Sequence, residues 1–115
     1  MWLITNFGFF SVVEKSEQKG TGTLTVRARV LADLQQLKDR YLPGMGSIQT
    51  GGGTDYRYRA VVSRDDVAEA FRRAIADIDY ANFKNSVAAS QGTARSSVYH
   101  DVWDALWKLQ EKEQT

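Results

Sequence analysis

Four arginines at alternating positions carry the clearest chemical signal in this chain: Arg27 and Arg29 in one stretch, Arg57 and Arg59 in another. In the first stretch they interleave with Leu24, Val26, Ala28 and Val30; in the second they precede Ala60, Val61 and Val62. Alternation with period two predicts strands with one buried face. Thr25, Arg27 and Arg29 then point away from the apolar side of their strand. Arg57 and Arg59 share a side with Val61, while Tyr56, Tyr58, Ala60 and Val62 share the other. If the two strands are neighbours, four guanidiniums meet on one sheet face. Opposed like charges destabilise a sheet, so an anion is expected there: a carboxylate set, a phosphate backbone or an acidic partner. Guanidinium forms two-pronged contacts with carboxylate and phosphate. Two plainer readings stand beside this one. Asp101, Asp104 and Glu111 of the last helix could supply the anion from within the chain, and arginine alternation also simply solubilises an exposed sheet face.

A second polar group surrounds His100, the chain's one histidine. Asp104, four residues on, shares its helical face, and imidazole suits proton transfer near neutrality. A nucleophile would have to come from Ser96, Ser97 or another hydroxyl, with no elbow motif around it. The spacing also misses the HExxH zinc pattern. No catalytic residue, metal ligand or cofactor site is assigned. Asn82, Lys84 and Asn85, set between Tyr80 and Phe83 and the last helix, form with His100 a candidate secondary polar site. Their plainer reading is a capped loop. Asp65 and Asp66 fit the favourable start of a helix. Asp77 and Asp79 flank a helix end and carry no assignment. Gly51-Gly52-Gly53 lacks the lysine of a phosphate loop and reads as a turn.

The elements that must position these residues follow from periodicity. Residues 2–13, aromatic and β-branched, predict one strand with Gly8 as a bulge or close approach. A polar loop with Gly20 and Gly22 leads to a strand at 24–30. Leu31, Leu34, Leu37 and Tyr41 then mark a helix ended by Pro43-Gly44. A weak strand at 46–50 precedes the strand at 56–62. Ser63 caps a helix whose stripe is Val67, Ala70, Phe71, Ala74, Ile75 and Ile78. Residues 79–95 read as a connector. The last helix, 97–113, carries Val98, Val102, Ala105, Leu106 and Leu109, widened by Tyr99, Trp103 and Trp107. A stripe that wide predicts burial on two sides, or a partner.

The order β-β-α-β-β-α plus a C-terminal helix predicts an α+β fold with a four-stranded antiparallel sheet, read as a permuted ferredoxin-like sandwich. One domain, 1–115, is expected, with a core at 1–78 and the connector and last helix at 79–115. In that fold the 24–30 and 56–62 strands are adjacent, which is what the arginine face requires.

Composition bounds the functional classes. With 115 residues, 43% of them hydrophobic and 25% charged, the chain can build an ordinary core. It has no cysteine, which excludes disulfides, thiolate metal sites and cysteine nucleophiles and fits a reducing compartment. The first basic residue, Lys15, follows the apolar opening, unlike a secretory signal. That opening is also shorter than the roughly 20 apolar residues a membrane span needs. The expectation is a cytoplasmic protein without membrane association. A net charge of +1 names no partner by itself.

Met1-Trp2-Leu3-Ile4-Thr5-Asn6-Phe7-Gly8-Phe9-Phe10-Ser11-Val12-Val13, Asp55–Arg59, Asp79–Val87 and Tyr99–Trp103 together resemble a family of small bacterial proteins of about this length and of unknown function. The resemblance implies a bacterial or phage setting and one compact domain. It brings no catalytic residue.

The leading expectation is a non-enzymatic module that binds nucleic acid or another anionic partner through Arg27, Arg29, Arg57 and Arg59. Trp2, Phe7, Phe9 and Phe10 supply aromatics, some facing outward. The alternative is a protein-interaction or homo-oligomeric regulatory module, phage- or defence-related, that forms a homodimer through the C-terminal helix or meets an acidic protein surface. A small enzyme centred on His100 ranks third.

Overall fold

In a computed structural model, which describes residues 1–51 and 55–113, the chain divides into two compact units, Met1–Asp79 and Tyr80–Thr115. The first is α+β. Strands β1 (Trp2–Thr5), β2 (Gly8–Val13), β3 (Thr23–Ala28), β4 (Gln49–Thr50) and β5 (Tyr58–Ser63) form an open antiparallel sheet in the order β1-β2-β3-β5-β4. Helices α1 (Leu31–Arg40) and α2 (Arg64–Ala76) pack on β2, β3 and β5. The second unit holds α3 (Phe83–Gln91) and α4 (Thr93–Glu113). No helix among the described residues is long and apolar enough to cross a membrane.

The sheet has five strands, not four, because residues 2–13 fold back on themselves. The break comes at Asn6-Phe7, where the Thr5 hydroxyl accepts from the Phe7 amide at 3.2 Å and donates to the Gly8 carbonyl at 2.8 Å. This side-chain turn brings Trp2 opposite Ser11 and Thr5 opposite Gly8. Gly8 is thus the first residue of β2 and not a bulge within one strand. Its small size matters for another reason: a Cβ there would lie 2.7 Å from Asp33 Cβ and 2.8 Å from Phe10. Asp33, buried in the first turn of α1, accepts the Phe9 amide at 3.0 Å. One carboxylate therefore ties the N-terminal hairpin to the helix that covers it.

Alternation divides the sheet faces as the sequence pattern requires. Phe10, Val12, Val26, Ala28, Ala60 and Val62 are buried with Leu34 and Leu37 of α1 and Val67 and Ala70 of α2. Phe7, Tyr41, Leu42 and Met45 complete the core at one end. Ser63 caps α2 by accepting from the Asp66 amide. The expected α2 stripe is only partly used, since α2 ends at Ala76 and both Ile75 and Ile78 are exposed. Asp77, just past α2, accepts the Tyr41 hydroxyl at 2.8 Å, so its role is to anchor the end of α1. The expected glycine turn falls partly on Gly52 and Gly53, outside the described residues. Gly51, at φ 91°, donates its amide to the Arg57 carbonyl at 2.9 Å.

Most of the expected connector is helical. Asn82 caps α3 by accepting from the Asn85 amide at 2.9 Å, and Gly92, at φ 95°, turns the chain into α4. α4 consequently begins at Thr93 rather than near residue 97.

Substitutions at three positions test this frame. Asp33→Ala strands the Phe9 amide and should lower the unfolding free energy by about 1–3 kcal/mol, while Asp33→Asn keeps an acceptor and should retain most of that stability. Gly8→Ala forces the same contact apart at a similar cost, about 1–3 kcal/mol; urea denaturation reads both, and wild-type stability in either alanine variant would remove the carboxylate from this role. Burial, and then the Asp77 carboxylate, raise the Tyr41 phenol above its ordinary 10.0, against the opposing pull of Arg40 and Arg73. The folded state holds that proton more tightly than the unfolded chain, so the contribution is whole below about pH 10 and is lost as pH rises further. Tyr41→Phe should flatten the alkaline limb of the stability–pH curve.

Candidate anion-binding surface

β3 and β5 run side by side, with Arg27 directly opposite Arg59 and Ser11 of β2 on Arg27's other flank. All three lie on the sheet face turned away from α1 and α2. Arg27 Nη2 donates to Ser11 Oγ at 2.7 Å. The Arg27 guanidinium lies 4.5 Å from the centre of the Tyr56 ring, and that of Arg29 lies 5.1 Å from the same ring. Arg59 Nη2 donates to the carbonyls of Gly51 at 3.2 Å and Tyr56 at 3.3 Å. Three of the four expected arginines are therefore brought to one place. Arg57 lies before β5, exposed, with its guanidinium 5.9 Å from the ring of Tyr58, which packs against the core.

Tyr56 is the residue that the alternation misplaced. Strand pairing begins at Tyr58, so the two-residue rule does not extend to position 56. The Tyr56 ring goes to the arginine side instead of the apolar one and is buried there. Its π face offsets part of the repulsion between cations, each such contact contributing about 0.5–1 kcal/mol at an exposed site. The signal available in sequence was the Tyr-Arg-Tyr-Arg pattern itself, in which either tyrosine could serve as the arginine's platform.

An aromatic row continues from Tyr56. Phe9 lies 6.3 Å from it, and Trp2 meets Phe9 edge-on at 5.9 Å and 87°. Trp2 is 70% exposed. Phe7 and Phe10, by contrast, belong to the core. The other end of this face is closed by the loop between β2 and β3: Gln18 Oε1 accepts from the Lys15 amide at 2.8 Å and from Thr25 Oγ1 at 3.1 Å, and both Gln18 and Thr25 are buried. Among the described residues neither Arg27 nor Arg29 makes an ion pair with a carboxylate. Arg27 Nε is buried without a hydrogen-bond partner.

The expected secondary site splits in two. Asn82 and Asn85 are a helix cap, the plainer reading. Lys84 and His100 do meet, with Lys84 Nζ 2.9 Å from His100 Nδ1. An ammonium only donates, so Nδ1 is the acceptor, and Nε2 faces Asp104 Oδ2 at 3.8 Å. His100 stacks on Trp103 at 5.5 Å, and Lys84 Nζ stands 4.9 Å from the Trp103 ring centre. Ser96 Oγ donates to the Lys84 carbonyl at 3.0 Å, which ties α3 to α4. His100 thus touches a lysine and an indole and stands near a carboxylate. Among the described residues no three histidine, aspartate or glutamate side chains converge as a metal site.

Comparisons with protein-family models, with curated proteins and with solved structures find no match to this chain. Function must be read from the surface itself.

The cap assignment is testable. Asn82→Ala should destabilise the second unit by about 1 kcal/mol, and Asn82→Ser should restore most of the loss; far-ultraviolet circular dichroism melts distinguish them. An Asn82→Ala protein that melts like the parent would return Asn82 to the pool of binding residues.

Proposed function

We propose that the arginine-bearing sheet face binds single-stranded nucleic acid, in a non-enzymatic module. The observation that carries this reading is the pair of guanidiniums, Arg27 and Arg29, resting on one buried tyrosine without an ion pair, in line with an exposed tryptophan. Arg27, Arg29 and Arg59 would hold phosphates, and exposed Arg57 would extend the track. Trp2 would stack a base, as sheet platforms for single strands do. The buried, unpartnered Nε of Arg27 adds support, because a phosphate oxygen reaching the guanidinium edge would give that donor an acceptor. In the same reading, β2–β5 with α1 and α2 form a permuted ferredoxin-like sandwich, and β1 adds a strand beside β2 that carries Trp2.

A second reading, a protein-interaction module, draws on a different observation: α4 exposes Trp103, Leu106, Trp107 and Leu109. The two readings use different residues.

Titration of labelled single-stranded and duplex oligonucleotides, read by anisotropy and by tryptophan fluorescence, tests the first. Single strands should bind more tightly than duplexes. Their affinity should fall about 20-fold between 50 and 200 mM salt for three phosphate contacts, or about 50-fold for four. Arg27→Ala/Arg29→Ala/Arg59→Ala, with its fold checked by circular dichroism, should lose most binding, and Trp2→Ala should weaken it without changing the salt slope. No binding at low salt, or full binding by the folded triple variant, would overturn the assignment.

A further inference from the structure

α4 outruns the helix that it pairs with. Its first half is held by α3 through Phe83 stacked on Tyr99 at 5.9 Å, and through Lys84 against His100 and Trp103. From Trp103 to Glu113 every side chain is exposed. Trp103, Leu106, Trp107 and Leu109 are 49%, 56%, 46% and 66% exposed. They fall on one side of the helix, while Asp101, Asp104, Lys108 and Glu111, spaced by three and four residues, take the other. This is an amphipathic segment whose apolar side has no cover from α3.

The Met1–Asp79 unit has the complementary feature. β1 extends the sheet beyond the strands on which α1 and α2 pack. On that side the sheet residues Leu3, Val12 and Leu24 and the α2 residues Val67, Phe71 and Ile75 wall an apolar groove of about 860 Å³. Ile75, on its rim, is 69% exposed. The groove lies on the face opposite the arginines.

We infer that the distal half of α4 from a second copy of this chain lies in this groove, and that the exchange is reciprocal in a two-fold dimer. Length supports it. Trp103 to Glu113 spans about 16 Å at 1.5 Å per residue, and the α2 wall from Arg64 to Ile75 spans about the same. Area supports it as well. Two half-exposed tryptophans, each about 250 Å² in full, and two half-exposed leucines offer roughly 400 Å² of apolar surface. A groove wall buries a comparable area against them, and two such contacts reach about 1,600 Å², the size of a stable specific interface. Insertion of an amphipathic helix into a groove is a recurrent mode of recognition. Reciprocal exchange closes the assembly at two copies rather than leaving an open chain. A second copy is also the one partner that brings both complementary surfaces in equal amount.

Sedimentation equilibrium of the full chain across a wide concentration range tests this, with the variants Leu106→Glu and Ile75→Glu. Both residues are exposed, so each variant should keep the parent's circular dichroism spectrum. The parent should sediment at twice 12.9 kDa. Each variant should raise the dimer dissociation constant by at least about 30-fold, the size of an interface hot spot. A parent that stays monomeric throughout would overturn the inference. So would an Ile75→Glu variant that dimerises like the parent while Leu106→Glu does not, because that pattern means α4 pairs with α4. Loss of oligonucleotide binding leaves these outcomes untouched, since the arginine face takes no part in them.

Discussion

The carboxylate of Asp33 couples the two ends of the first unit's architecture. It is buried in the first turn of α1, whose amide groups favour negative charge there. From that position it accepts the Phe9 amide, and its Cβ and Cγ press against Gly8. A buried carboxylate is costly unless its oxygens are satisfied; here the backbone that satisfies it belongs to the start of β2. Helix and hairpin therefore hold each other in register. Sliding β2 by one residue would remove the acceptor, drive a side chain into Asp33, and send Phe10 and Val12 to the wrong face. The same register places Ser11 beside Arg27 and Phe9 beside Tyr56. The arginine surface thus depends on an interaction on the opposite side of the sheet.

Placing Arg27 opposite Arg59 sets a repulsion that local partners offset in part. Ser11 takes one donor of Arg27, and two carbonyls take a donor of Arg59. The Tyr56 ring lies under Arg27 and Arg29. Each device uses partial charges and leaves the full positive charge available at longer range. A carboxylate in the same place would stabilise the sheet more and cancel part of the local positive field. Two acids of the same unit pair with other arginines: Glu14 with Arg64, and Glu69 with Arg72 at 2.7 Å.

How much of this was legible in sequence follows from which interactions are periodic. The strands around Arg27 and Arg59 and the stripe of α2 repeat with the period of their own element, whereas the neighbour relation of β3 and β5 is legible only through a ferredoxin-like reading of the element order. The hairpin within residues 2–13 is not periodic. It turns on the hydroxyl of Thr5, without the glycine or asparagine-glycine pair that marks most tight hairpins. α3 was hidden for a related reason. Its segment Phe83–Gln91 buries only Val87 fully, so no stripe announces a helix, and Asn82 looks like a loop residue until its capping bond is seen. Tyr56 escaped because alternation holds only where strand pairing holds. In each case a single side-chain contact, local or from another element, overrides the pattern.

The wide apolar stripe of the last helix was visible in sequence, and its width has a mechanical cause. A helix of 21 residues paired with one of nine can bury only the half that its partner reaches. Tyr99 is the one α4 residue that becomes fully buried. Toward the C-terminus the stripe continues with two tryptophans, residues that remove much apolar area from water when covered. Leaving them wet is unfavourable by several kcal/mol at about 25 cal/mol per Å², a cost comparable with the whole stability of a small unit. In the Met1–Asp79 unit the fifth strand creates the matching deficit, because a sheet widened by one strand needs more cover than two helices give. Both deficits have one origin: elements that exceed the reach of their local partners. In the Met1–Asp79 unit the uncovered groove lies on the sheet face opposite the arginines, so that covering it would leave the charged face open.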